Sequence, residues 1–393
     1  MCCLAASSIG LCTNAIGVFY TPVSKSLHVL KGTFAIHATL STLITALTSL
    51  KMSKLIRKYN YKKILLIGVL LSSVSTWMMS YSRSVYLFYI LGILRGIGVG
   101  IGGMVPITVI ITNWFDEKHG LATSLALSFS GLAGAIFSPL LSSWIISYGW
   151  QMTYRLMVSC ILILVLPVLI VPWKINPQEE GMLPYGYQEK KDTIKIQNKK
   201  VNLITISFIC MCIFTLLHTS ITGISQHLSG IALSIHLSAT SGAILMSLTM
   251  IGNISTKLLI GFLSDLLNPI KAVIIMILAN CFSLGLLFLG VIHQEIMLLY
   301  IGSFMFGSIY SVGAVGIPML THYFFGNENY ARTYSFVGFL TNVGSASSLT
   351  LIGYLYDFTQ SYQMVFIIAL CFHIINLILL TVIYSRYNSL GEK

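Results

Sequence analysis

Long apolar runs recur from one end of the chain to the other, and each is bounded by a charge, a proline or an amide. An apolar helix of about 20 residues crosses a hydrocarbon core of about 30 Å. Only 9% of the 393 residues are charged, against about 25% in a typical soluble domain. The sequence therefore predicts an all-α integral membrane protein with twelve transmembrane helices. The runs occupy residues 3–23, 33–50, 62–81, 85–112, 121–147, 153–173, 202–226, 236–264, 271–292, 296–321, 331–356 and 363–385.

The lysines and arginines predict the orientation, because cytoplasmic loops retain cations. Seventeen fall on one side of the predicted topology, in or near 51–63, 118, 174–201, 271, 332 and 386–393, and four fall on the other: Lys25, Lys31, Arg83 and Arg155. Both termini are therefore predicted to be cytoplasmic, in a plasma (cytoplasmic) membrane, most simply a bacterial inner membrane. This asymmetry accounts for the net charge of +12 without a nucleic-acid partner. No basic stretch precedes the first run, which predicts a retained helix rather than a cleaved signal.

The cysteines give no sign of a metal or disulfide framework. All eight, including Cys210 and Cys212, have no metal-ligand spacing, and almost all lie in apolar runs. Cysteines in this setting are typical small core residues. We therefore expect no metal and no cofactor. The expected partners are the lipid bilayer and a small molecule, and the expected state is a monomer.

The only long polar stretch divides the chain into two predicted bundles. We expect a six-helix bundle at 1–173, a cytoplasmic linker at 174–201 and a second six-helix bundle at 202–393. Trp114-Phe115 reappears as Tyr323-Phe324 after 209 residues, and Ser53 corresponds to Gly261 after 208. These offsets favour an internal repeat, and hence pseudo-symmetric halves. Repeated membrane halves commonly hold a substrate site near the midplane and alternate its exposure.

The segment LRGIGVGIGG at 94–103 contains a G-x-G-x-x-G spacing, which raises the possibility of a dinucleotide site. Such a site requires a preceding strand, whereas this segment lies inside the fourth apolar run. We interpret Gly96, Gly98 and Gly100 as positions where neighbouring helices approach closely, with direct ligand contact as the alternative. The same interpretation applies to SGLAGAIFSP in the fifth run, at Gly131, Gly134 and Pro139.

Several motifs resemble the major facilitator superfamily. Arg95-Gly96 with Gly98 and Gly100 resembles its Arg-x-x-x-Gly element, and GFLSDLLNPIK at 261–271 resembles its short loop motif. The segments NWFDEKHGLA (113–122), SGLAGAIFSP (130–139), YGWQ (148–151), EEGMLPYG (179–186) and GYLYD (353–357) resemble the branch of oxalate/formate antiporters and monocarboxylate transporters. The resemblance spans the chain and implies the major facilitator fold. It also implies gating or loop roles for Gly261, Asp265 and Lys271.

The chain departs from the family pattern in three places. In the first copy of the loop motif, 53–63, Ser53 stands at the glycine position and Arg57 at the acid position, so only the second copy keeps its acid, Asp265. Helix eleven lacks the lysine expected of oxalate/formate antiporters and offers Thr341 and Asn342 instead. One usual gating ion pair is therefore missing or built differently.

Two cations lie at membrane depth, where ionisable groups are costly and indicate function by default. Arg95 is permanently charged and requires carbonyls, water or an anion; a purely structural tie to helix one is its alternative role. Lys257 lies eight residues before Asp265, where the resembled branch implies a partner for a carboxylate substrate. Snorkelling to the interface is the alternative for this lysine.

The embedded runs contain no carboxylate that would carry a proton, since all eleven acids fall in loops or at helix ends. Histidines remain as candidates because their pKa permits switching, although a lone helical histidine is more often structural. The candidates are His37, His218 and His373. Further candidate substrate contacts, with helix packing as their alternative, are Asn14, Tyr20, Thr222, Gln226 and Tyr310, together with Asn342.

The sequence thus predicts a secondary transporter, and not an enzyme, that moves a small organic anion by alternating access. A mono- or dicarboxylate is the expected cargo, and exchange fits better than proton symport through a carboxylate. A carrier for a drug, sugar or amino acid and a non-transporting membrane sensor remain as alternatives, since a fold constrains cargo weakly.

Overall fold

The computed structural model describes residues 1–115, 119–186 and 205–391 and divides into two compact units, Met1–Thr193 and Ile194–Lys393. Asp116, Glu117 and Lys118 of the NWFDEKHGLA motif, most of the predicted linker (187–201) and Lys393 lie outside the described residues.

The first unit contains helices α1 to α6. They are α1, Cys2–Ser26; α2, Lys31–Lys58; α3, Tyr61–Met79; α4, Val85–Trp114; and α5 and α6, which share the continuous stretch His119–Ile170. Gly149 separates α5 from α6, with φ 79° and ψ 161°. Only glycine adopts this backbone conformation without strain.

The second unit contains helices α7 to α12. They are α7, Ile206–Ser234; α8, Ala239–Leu266; α9, Pro269–His293; α10, Ile296–Gly326; α11, 327–359; and α12, Gln363–Gly391. Gly326, with φ 68°, separates α10 from α11.

Length and hydropathy confirm the predicted number of membrane crossings within the described residues. Eleven stretches are long and apolar enough to span a bilayer. One of them, Leu125–Ile170, has 46 residues, or about 70 Å of helix at 1.5 Å per residue. This is more than twice a hydrocarbon core of about 30 Å, and the break at Gly149 divides it into two crossings. Each unit therefore contributes six spans.

The glycines of α4 face two different neighbours. A Cβ on Gly96 would lie 2.5 Å from the Ser41 carbonyl oxygen of α2, and one on Gly98 would overlap the Gly68 carbonyl of α3. A Cβ on Gly100 would lie 2.7 Å from the Cβ of Thr48. Side chains would therefore force α4 away from both helices, which in lipid depend on close packing.

The small residues of α5 lie beside α1. Gly131 and Gly134 are buried and Pro139 is half-buried. A Cβ on Gly10 of α1 would lie 2.5 Å from the Cβ of Ala133 and 2.8 Å from the Ser130 carbonyl oxygen. The contact between these two helices is thus made by small side chains and backbone.

Helix α4 is not one continuous run, in contrast to the prediction for 85–112. It consists of Val85–Gly102 and Met104–Trp114, with extended backbone at Gly103. Pro106 has no N–H to donate to the Gly102 carbonyl, four residues earlier. The Ser8 hydroxyl donates to that carbonyl at 2.8 Å, and the Tyr61 hydroxyl donates to the Ile101 carbonyl at 3.1 Å. Side chains of α1 and α3 thus satisfy the carbonyls that the interruption frees, as a membrane interior requires.

Three other helices are also irregular near their middles. Helix α1 is π-helical over Ala6–Asn14 and 3-10 over Ile16–Phe19, and α10 is π-helical over Val312–Gly316. Helix α7 consists of Ile206–Thr219 and Ile224–Ser234, so it is interrupted within the predicted run 202–226 and extends beyond it. The first and fourth helices of each unit therefore depart from α geometry.

The start of the predicted linker packs against the end of α4. Tyr185 donates its backbone N–H to the Trp114 carbonyl at 2.8 Å, and the Trp114 indole donates to the Lys174 carbonyl at 3.0 Å. The Asn113 amide donates to the Asn176 side chain at 2.9 Å. Parts of two motifs that are distant in sequence, NWFDEKHGLA and EEGMLPYG, therefore form one contact.

Candidate functional site

Arg95 lies in the middle of α4 and is buried, with 3% of its surface exposed. Its Nη2 donates to the backbone carbonyl of Cys12, in the π-helical part of α1. No acceptor among the described residues lies within hydrogen-bonding distance of its Nε. A guanidinium has five N–H donors in a planar fork. The bond to α1 therefore leaves donors that suit a carboxylate.

Aromatic rings lie within electrostatic range of this guanidinium. Tyr20, His37 and Tyr154 lie close enough to Arg95 for direct electrostatic interaction. Tyr20 packs edge-on against His37, with ring centroids 6.2 Å apart, and Tyr154 stacks on Phe19 at 4.1 Å. A buried charge in a low-dielectric aromatic setting exerts a strong field over a short distance.

Asn14 is near in sequence to the carbonyl that binds Arg95, yet it has a partner on another helix. Its amide donates to the Ser130 carbonyl of α5 at 3.1 Å. The structure therefore brings Tyr20 into the surroundings of Arg95, while Asn14 links α1 to α5.

A second polar cluster lies in the interior of the second unit. His218 of α7 donates from Nε2 to the Ile309 carbonyl of α10 at 3.0 Å. His373 of α12 donates from Nε2 to Asn280 Oδ1 of α9 at 2.8 Å, and the two imidazole centroids are 5.7 Å apart. The Asn280 amide donates to the Ser308 hydroxyl at 3.1 Å and to the Phe306 carbonyl at 3.3 Å; since a carbonyl only accepts, the second bond fixes the direction of the amide.

This cluster has a defined tautomeric state. Because a carbonyl oxygen only accepts, the proton of each imidazole is on Nε2 when the ring is neutral. The Nδ1 atoms of His218 and His373 are buried and have no donor among the described residues. The predicted candidates His218 and His373 thus share one site, and a gained proton would give each ring a second N–H donor, at an Nδ1 that has no partner among the described residues.

The remaining predicted contacts of the second unit are dispersed. The Thr222 hydroxyl lies 3.1 Å from the Ser345 hydroxyl of α11, and the Tyr310 hydroxyl is hydrogen-bonded to that of Ser225. Gln226 is buried on α7. The Asn342 amide donates to the Gly338 carbonyl of its own helix at 2.9 Å. Tyr310 follows Ile309 directly and so adjoins the His218 contact.

Lys257 lies on α8 and is partly buried. Within the described residues, it has no hydrogen bond or ion pair. Its neighbours Leu258 and Leu259 are exposed at 64% and 45%, as expected beside a face that contacts lipid. Lys257 is therefore an ammonium at the edge of an apolar surface and has no carboxylate partner there.

The loop motif forms the turn from α8 to α9. Asp265 is exposed in the last turn of α8, and a Cβ on Gly261 would meet no atom within 4 Å. Lys271 donates its backbone N–H to Asn268 Oδ1 at 2.8 Å, so Asn268 caps α9. In the first copy, the Lys62 backbone N–H bonds to Asn60 Oδ1 at 3.0 Å. The same cap therefore occurs in both units, 208 residues apart.

Sequence reasoning missed two of these functional elements. Asn280 organises the histidine cluster, and its signal was an amide inside a strongly apolar run, where polar residues are costly. The Cys12 carbonyl was not predictable, because its availability depends on the π-helical geometry of α1.

Each of the two units has six helices, of which the first and fourth are interrupted, and the chain buries charge at membrane depth. These features define a membrane carrier. The Major Facilitator Superfamily profile matches residues 2–234 and 203–391. The chain belongs to this superfamily, as the sequence motifs predicted, and it is a transporter rather than an enzyme.

Comparison with individual proteins agrees with this assignment. The chain is 25% identical to the MFS-type transporter YcxA of Bacillus subtilis over 374 residues, covering 91% of this chain and 87% of YcxA. It is 24% identical to monocarboxylate transporter 12-B of Danio rerio over 413 residues, covering 97% and 85%. A crystal structure of a variant of the nucleoside transporter NupG superposes with a TM-score of 0.72 at 13% identity, covering 98% of both chains. At this identity the superposition supports the fold alone.

Proposed function

We propose that the protein is a secondary active transporter for a small organic anion, a mono- or dicarboxylate, that works by alternating access. The observation that carries this proposal is Arg95, a buried guanidinium whose Nη2 donates to the Cys12 backbone carbonyl and whose Nε has no acceptor among the described residues. No aspartate or glutamate occurs between Met1 and Phe115 to neutralise it. A permanently charged group in this setting is stabilised by an anionic ligand.

Two further observations support an anionic cargo. Lys257 adds a second positive charge with no carboxylate partner among the described residues, and named relatives of the chain are monocarboxylate transporters. The histidine cluster provides two buried imidazoles that lie side by side in the described part of the second unit. If a proton accompanies the anion, His218 and His373 are the groups that we propose to carry it; otherwise the carrier exchanges anions.

The test is uptake of labelled pyruvate and benzoate into proteoliposomes by the wild type and by Arg95→Met, Arg95→Lys and Lys257→Gln. We expect Arg95→Met to abolish uptake, Arg95→Lys to retain part of it, and Lys257→Gln to raise KM about tenfold, or about 1.4 kcal/mol of lost binding. Lys51→Gln is the matched control, since Lys51 is an exposed cation of α2 outside the loop motif.

The stability of Arg95→Met separates a binding role from a structural role. Replacing a buried charge with an apolar group of similar volume is often neutral for stability. A variant that folds normally but takes up no anion supports the proposal. Wild-type uptake by Arg95→Met and Lys257→Gln together would overturn the anion assignment and favour an uncharged cargo.

A further inference from the structure

A second cationic site lies at one end of the first unit, outside the region around Arg95. It is a pocket of about 560 Å³ at the junction of the α1–α2 loop, the α3–α4 loop and the start of α6. Its lining includes Arg83, Arg155, His28, Gln151 and Trp150. Two guanidiniums and an imidazole therefore face one space.

Arg155 is held in place and does not move freely in solvent. Its Nε donates to the Ser80 hydroxyl at 3.2 Å, and its guanidinium carbon lies 4.5 Å from the centroid of Tyr81. Stacking and a hydrogen bond fix the plane of the guanidinium and leave its Nη atoms for another ligand. Arg83 is exposed at the same rim. The site thus combines a pre-positioned cation with an exposed one.

No carboxylate in the described part of this unit is close enough to neutralise these charges. The pocket is built from segments 26–28, 80–83 and 150–155, and no aspartate or glutamate occurs in 1–115 or 119–178. Glu179 and Glu180 line a different pocket, together with Tyr61 at the start of α3. Ser80 follows the other end of α3, whose 19 residues separate the two ends by about 28 Å. That distance exceeds the Debye length of about 8 Å at physiological salt.

We propose that this pocket binds a small soluble carboxylate at the surface of the carrier, separately from Arg95. The choice of a carboxylate as the ligand rests on the proposed function, whereas the positive potential of the pocket follows from Arg83 and Arg155. A cleft lined by charges of one sign concentrates counter-ions and accelerates their capture. The predicted topology puts this end of the unit outside the cytoplasm, so the pocket would collect external substrate.

The experiment introduces one cysteine into the pocket and measures its labelling rate. This rate reports the local electrostatic potential and whether a ligand occupies the pocket. Gln151→Cys retains both arginines, and its labelling by a sulfonate-bearing and a trimethylammonium-bearing methanethiosulfonate is followed by peptide mass spectrometry. Ser84→Cys is the matched control, because Ser84 is exposed in the same loop but does not line the pocket. We expect the anionic reagent to label residue 151 about tenfold faster than the cationic reagent, relative to the control.

Protection by pyruvate tests whether the pocket binds a carboxylate, and the lipid composition tests whether a lipid headgroup occupies the pocket instead. In vesicles of purely zwitterionic lipid, millimolar pyruvate should slow labelling at 151 more than chloride of the same ionic strength, and Arg83→Gln with Arg155→Gln should abolish both effects. Arg83→Gln alone, which changes an exposed side chain, should weaken both effects if the double variant does not fold. Equal labelling by both reagents, or no protection by pyruvate, would overturn the proposal. Protection that needs anionic lipid instead of pyruvate would also overturn it, by identifying a headgroup as the occupant.

The outcome is independent of the uptake assay. Protection by pyruvate without carboxylate uptake would retain the pocket and refute the transport proposal. Carboxylate uptake without protection would refute the pocket alone.

Discussion

The second and fourth helices of each unit meet at a glycine, which lies on the fourth helix in the first unit, whereas the second unit has such a glycine on each of the two helices. In the first unit it is Gly96 of α4, where a Cβ would lie 3.1 Å from the Cβ of Ile44 on α2. In the second unit the positions 208 residues later are Phe304 of α10 and Gly252 of α8, where a Cβ on Gly252 would overlap the Phe304 carbonyl. Gly307 of α10 faces the same contact, since a Cβ there would overlap the backbone of Gly252. The two units thus share the close approach of two backbones but differ in the positions of the glycines that permit it.

Other backbone features also recur in both units. His28 and His236, 208 residues apart, both adopt positive φ, at 53° and 64°, where the first helix of each unit ends. The Asn60 and Asn268 caps follow the same spacing. The buried polar side chains differ, since the first unit holds a permanent cation and the second a pair of imidazoles with Asn280. The scaffold is therefore duplicated, whereas the chemistry of each interior is specific to its unit.

The largest expected effect concerns the two close approaches. Gly96→Ala and Gly252→Ala should each destabilise the protein by about 1–3 kcal/mol, because overpacking forces backbones apart. The measurement is the midpoint of thermal unfolding in detergent. Gly285→Ala on α9 is the control, since a Cβ there meets no atom within 4 Å, and it should be neutral or slightly stabilising. Equal midpoints for all three variants would refute the role of Gly96 and Gly252 in the close approach of the helices.

The second prediction concerns the interior that only the second unit has. Asn280→Ala should cost about 1–3 kcal/mol, because the imidazole of His373 and the Phe306 carbonyl lose their partners in a buried place. The double variant Asn280→Ala with His373→Phe should recover part of that loss. A double variant as unstable as the sum of the two single variants would contradict a direct contact.

The smallest expected effect concerns the duplicated caps. Asn60→Ala and Asn268→Ala should each lower stability by about 1 kcal/mol, because each leaves one N–H of a helix start unsatisfied. Asn60→Asp and Asn268→Asp retain an acceptor and should restore the loss. A clearly larger effect in one unit would show that the caps are not equivalent.

Much of the fold was predictable because the bilayer imposes strong rules on composition. Twelve crossings and the division into halves follow from the length of apolar runs and from one polar stretch. The interruptions of α1 and α10 were not predictable, because π-helical geometry leaves no clear pattern in residue type. For α4, Pro106 after a glycine-rich segment was a usable signal.

The sequence predicted which residues form the candidate site but not which groups they contact. A membrane-embedded arginine or histidine is conspicuous in a sequence, so Arg95, His218 and His373 were found. Their partners depend on which faces of distant helices meet, as for Arg95 with Cys12 and for His373 with Asn280. The orientation of the termini and the role of Lys257 stay predictions.

The interruption at Gly103 divides α4 at a joint, and side chains of α1 and α3 make the hydrogen bonds that stabilise this joint. Flexing there would break the contacts of Ser8 and Tyr61 with two carbonyls and leave two buried acceptors unsatisfied, at about 1–3 kcal/mol each, instead of unwinding a turn of helix. The cost of changing the angle between the two halves of α4 is therefore set by these two hydroxyls, and a single hydroxyl removed from α1 or α3 would loosen the joint without altering α4 itself.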